Sequence, residues 1–104
     1  MNLKIKEDTP KTAEHILVCL SAAPSNQKIV DTAAKMANVL QARFTALYVQ
    51  TGTKSEALDK EKLEEHIRHA ERLGAEIVMT HGENIPVQIA EYARLSNVTK
   101  IVIG

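Results

Sequence analysis

The chain has 104 residues, 13 basic and 13 acidic, and no net charge at neutral pH. That length holds one small core and excludes a catalytic domain with a separate substrate domain. The charge balance leaves no general footprint for a nucleic-acid polymer or an acidic membrane surface, so a small ligand fits better. A lone cysteine, Cys19, forms no internal disulfide and points to a reducing, cytosolic setting. No run approaches the roughly 18 to 20 apolar residues that span a bilayer, and the first dozen residues are too polar for a signal peptide.

In chain order, residues 1–13 carry Lys4, Lys6, Glu7, Asp8, Pro10 and Lys11 with little to bury, and read as an arm or linker. Residues 14–104 read as the domain. An apolar run over 16–20 predicts a strand, and Ser21, Ala22, Ala23, Pro24, Ser25 and Asn26 form a small-residue turn with accessible backbone amides. Ser25 or Asn26 can cap the helix that follows, with Ile29, Val30, Ala33, Met36, Ala37 and Leu40 at three- and four-residue spacing. Residues 43–49 (RFTALYV) predict a buried strand. Residues 55–73 return to helical period, with Leu63, Ile67, Ala70 and Leu73 on one face and Gly74 as C-cap. On this helix His66 and His69 stand one turn apart, among charges that suggest a solvated face. A third strand over 75–80 has His81 and Gly82 at its tip, and Asn84 caps a third helix that tolerates Pro86 in its first turn. Residues 98–103 make a fourth strand, and Gly104 closes the sequence.

The pattern is βαβαβαβ, with strands that are continuous apolar runs because helices cover both faces, and right-handed crossovers favour an open parallel sheet. In such a sheet ligands bind at the carboxyl ends of the strands, which places the site on the Ser21–Asn26 turn. The strand KIVIG ends the sequence where a loop and helix would ordinarily follow, so either the domain is a fragment or a partner, including a second copy, covers that edge.

Segments distributed from His15 to Gly104 carry a resemblance: HILVCLSAAPSN, TAAKMA, FTALYV, AERLGAEIV, IPVQIAEYAR and VTKIVIG. Together they resemble the universal-stress-protein-like domain of the KdpD family of potassium-responsive sensor histidine kinases. The resemblance implies a three-layer, flavodoxin-like α/β sheet of order 3-2-1-4 without a fifth strand. It also implies a cytoplasmic regulatory module inside a membrane-anchored parent, with the other kinase domains as partners. Universal stress proteins that bind ATP generally carry an aspartate at the first strand tip, where this sequence has Ser21, and a glycine-rich phosphate stretch that would begin at Gly104. As given, the chain does not hold ATP in that manner. A KdpD subgroup binds cyclic di-AMP through Ser-x-Ser and a later Phe-Thr-Ala-x-Tyr. Phe44, Thr45, Ala46 and Tyr48 match the second half and Ser21 the first serine, whereas Ala23 replaces the second and removes a hydroxyl able to contact phosphate.

Ser21, Ala22, Ala23, Ser25, Asn26, Phe44, Thr45, Tyr48, His81, Gly82 and Gly104 are therefore the candidate nucleotide-binding residues, with cyclic di-AMP or ATP as ligand and no metal. Each has a plainer reading: Phe44 and Tyr48 as packing, Ser21 and Ser25 as strand end and helix cap, His81 as ordinary loop. Catalysis finds no support, since no phosphate loop, dinucleotide fingerprint or local nucleophile motif is present. Two functions remain: a ligand-sensing regulatory domain, or an interaction or dimerisation module with an empty pocket.

Overall fold

The structure, a computed structural model, describes residues 13–52 and 57–103. Residues 1–12 of the expected arm, the start of the second helical pattern and Gly104 lie outside the described residues. Seven elements follow in chain order: β1 His15–Cys19, α1 Asn26–Leu40, β2 Arg43–Gln50, α2 Ala57–Arg72, β3 Glu76–His81, α3 Ile85–Leu95 and β4 Lys100–Val102. The four strands form one sheet of order β3-β2-β1-β4, and every pairing is parallel. The fold is thus three-layered, as the βα alternation required.

Alternation along the strands sorts the core into two layers. Ile16, Val18 and Leu20 of the first strand and its exit, with Phe44 and Ala46 of the second, face α1 and α2 and meet Val30, Ala33, Ala37 and Ala70. Alanines at those helical positions let the helices approach the sheet closely. Leu17, Leu47 and Val49 face the opposite way, where Ile89 and Tyr92 of α3 pack only partly buried. That second layer is thin. No residue of α3 is buried, and Val87 and Leu95 are more than half exposed.

The amino ends of the strands are closed by a polar buckle. His15 is buried; its Nδ1–H donates to the Ser96 carbonyl at 3.0 Å, so its Nε2 accepts the Thr45 hydroxyl at 2.8 Å. Helix α1 ends with Gln41 in the left-handed region, φ 53°, its N–H turned back to the Ala37 and Asn38 carbonyls. The fourth strand is shorter than its apolar run, three residues instead of six, because only Lys100–Val102 pair in ladder register with β1.

Candidate functional site

The carboxyl ends of β1 and β2 open into a recess of about 660 Å³. Ser21 and Ala22, at the exit of β1, form one rim, and Tyr48 to Thr51, at the end of β2, form the floor. The first turn of α2 supplies Asp59 and Lys60, with Leu63 one turn on. Met79 of β3, beside Tyr48 on the α2 face of the sheet, and Ile85 and Ile89 of α3, which packs on the other face, add apolar groups to the lining. A flat, partly apolar ligand with a polar or anionic edge suits such a lining.

The turn after β1 is built to hold its shape. Asn26 is buried, and its side chain reaches back across the turn: Nδ2 donates to the Cys19 carbonyl at 2.9 Å and Oδ1 accepts from Ser21 N–H at 3.2 Å. Ser21 Oγ accepts from Ala23 N–H at 3.2 Å, a local side-chain turn. From α2, His66 Nδ1–H donates to the Ser21 carbonyl at 2.7 Å. The amides expected to be accessible are therefore mostly engaged, and of Ser21, Ala22 and Ala23 it is Ala22 whose N–H has no partner among the described residues.

These contacts sort the sequence candidates. Ser21, Ala22 and Tyr48 come together around the recess. Ala23 and Ser25 lie exposed on the turn, and Ser25 precedes α1 without a side-chain capping bond. Asn26 is corrected from ligand contact to internal staple, since both ends of its amide are bonded within the turn. Phe44 and Thr45 are corrected too. Tyr48 lies four positions beyond Phe44, roughly 13 Å along a strand, so Phe44 sits at the amino end, packed in the core beside a shallower hollow of about 270 Å³. Thr45 is fully buried and bonded to His15. His81 and Gly82 follow at the tip of β3 and do not line the recess; Gly82 N–H donates to the Gln50 carbonyl at 3.1 Å.

The histidines of α2 do not face solvent. His66 is buried against the β1 exit, and His69 Nε2–H donates to Asp31 of α1 at 2.6 Å. Their flanking charges misled; positions 63, 66, 67 and 70 share the inward face of the helix. Cys19 also borders the recess, and burial pushes its thiol pKa up, so it is a poor nucleophile at neutral pH. Asp59, Lys60, Met79, Ile85 and Ile89 carry no local motif that would mark them as site residues in sequence.

No protein-family model matches the chain. In sequence it is similar to the sensor protein KdpD of Clostridium acetobutylicum, 46% identical over 89% of this chain and 10% of that protein. It is also similar to the sensor protein KdpD of Escherichia coli K12, 30% identical over 89% of this chain and 11% of that protein. The chain thus spans about a tenth of the length of these curated relatives. In structure it matches a universal stress protein from Burkholderia pseudomallei with a TM-score of 0.67, at 17% identity over 89% of this chain and 82% of the other. The fold is that of the universal stress proteins. A universal stress protein in complex with cAMP matches at TM-score 0.63, 20% identity, 89% of this chain and 77% of the other. One from Archaeoglobus fulgidus in complex with dAMP matches at 0.58, 19% identity, 86% and 79%. On this universal stress protein fold, the present recess lies where open parallel sheets generally take ligands, at the strand tips.

Proposed function

We propose that this domain is a non-catalytic, nucleotide-responsive regulatory module of a KdpD-type sensor kinase. A small adenine nucleotide, with cyclic di-AMP and ATP as the candidates, lies over the carboxyl ends of β1 and β2. The observation that carries the reading is the open recess bordered by both Ser21–Ala22 and Tyr48. Complexes of similarly folded proteins with cAMP and dAMP lend it support. The Tyr48 ring, with Met79 beside it, accepts a base, and the Ala22 N–H and Lys60 meet a phosphate. Occupancy tightens the β1–α1 turn against α2, and unequal affinity for two states of the parent kinase shifts its signalling. Calorimetric titration of the chain with cyclic di-AMP and with ATP tests this: saturable heat with either supports it, and none at millimolar concentration refutes it.

A second reading, an interaction module, is favoured by the edge at β4. Ile101 is 43% exposed and Ile103, just beyond the strand, 66% exposed, a combination that invites pairing with another domain or a second copy. Light scattering across a concentration series tests the self-associating form; a strict monomer at high concentration removes it.

A further inference from the structure

Among the described residues around the recess, Asp59 and Lys60 alone carry a charge, and the two cancel. Neither forms an ion pair with another described residue. Asp59 stands in the first turn of α2, where its carboxylate offsets the positive end of the helix. In the turn after β1 the Ser21 and Ala23 amides are bonded internally, which leaves the Ala22 N–H among the lining residues of that turn. Among the described residues lining the recess, the charged groups an anion meets are therefore one ammonium and one carboxylate, with the Ala22 amide and the Ser21 and Tyr48 hydroxyls as neutral donors.

That set matches a phosphodiester, which brings a single charge per phosphate. A triphosphate tail brings several contiguous charges with no second cation among the described lining residues to neutralise them, and it would press them on Asp59. We infer that Asp59 sets the charge class of the ligand, admitting phosphodiester-linked adenine nucleotides held by Lys60 and the Ala22 amide and repelling polyphosphates. This rests on the nucleotide-binding reading above. A merely structural role for Asp59, supporting the helix end, would change the affinity of every ligand alike and leave their ratio untouched.

The test is calorimetric titration, free of magnesium, of the chain and of its Asp59→Asn and Lys60→Gln variants with cyclic di-AMP, cAMP and ATP. The parent chain is expected to bind the phosphodiesters about tenfold or more tighter than ATP, a difference of order one close charge. Asp59→Asn is expected to narrow that ratio by roughly tenfold, and Lys60→Gln to weaken the phosphodiesters by a similar factor. Both side chains are exposed, so the variants keep the fold, which circular dichroism checks. Nucleotide binding with a ratio that Asp59→Asn leaves unchanged, or with ATP the tighter ligand, overturns the charge role and leaves the nucleotide reading intact. Failure of all ligands to bind the parent chain removes that reading and this inference with it.

Discussion

Replacing Asn26 by alanine removes both bonds that tie the exit of β1 to the start of α1. Each bond contributes about 1 kcal/mol net, and the Cys19 carbonyl, left without its donor in a partly buried place, adds about 1–2 kcal/mol more. The expected loss is roughly 2–4 kcal/mol, a fall in Tm on the order of 10–20 °C for a domain near this size. Urea denaturation followed by circular dichroism measures it, with the m-value unchanged if the folded core survives. Asn26→Asp sharpens the test. The introduced carboxylate still accepts from Ser21 N–H, but it sets a second acceptor against the Cys19 carbonyl, so at neutral pH it costs at least as much as alanine. Once protonated, the same group donates to that carbonyl. An alanine variant within about 0.5 kcal/mol of the parent, or an aspartate variant as stable as the parent at neutral pH, would refute the staple.

Three further outcomes are expected. Tyr48→Ala weakens nucleotide binding by roughly tenfold or more, the scale of one lost stacking contact, whereas Phe44→Leu lowers thermal stability and leaves affinity unchanged; equal effects on binding would contradict the placement of Phe44 at the far end of the strand. The Thr99 hydroxyl, 2.6 Å from Glu14, holds that carboxyl below the ordinary glutamate range, with Lys100 assisting. Its stabilising contribution is thus present above the unfolded value and lost as pH falls through the lowered one, and an NMR titration of Glu14 in Thr99→Val should show its pKa returning upward. Gln41→Gly relieves a left-handed residue whose side chain has no hydrogen bond or ion pair among the described residues, and is expected to stabilise by up to about 1 kcal/mol, read as a higher urea midpoint; a lower midpoint would show that the Gln41 side chain contributes more than its backbone costs.

The seven elements and the parallel sheet were legible because periodicity and burial agree along the chain, with apolar runs for strands covered on both faces and alanine-lined stripes for the helices on them; the strand order came from the resemblance. The recess was half legible. Ser21 and Tyr48 are at strand exits, and strand exits can be counted in sequence. Phe44 shares a face with Tyr48 by the period of two, but a shared face says nothing about which end of the sheet a residue occupies. His66 was misplaced because neighbouring charges outweighed the helical stripe it lies on. Asp59, Lys60, Met79, Ile85 and Ile89 reach the recess through three separate elements, α2, β3 and α3, and only their packing brings them together. Asn26 reads equally well as a helix cap or as a staple, because one amide chemistry serves both.

Amide chemical-shift mapping during titration with cyclic di-AMP is the most direct measurement of whether this recess is a nucleotide site. Saturable shifts concentrated at Ala22, Tyr48, Leu63 and Ile89, with Ala42, Phe44 and Gly74 at the amino ends of the strands unmoved, are the expected result. Shifts clustered at those amino ends, or along β4 alone, would contradict it.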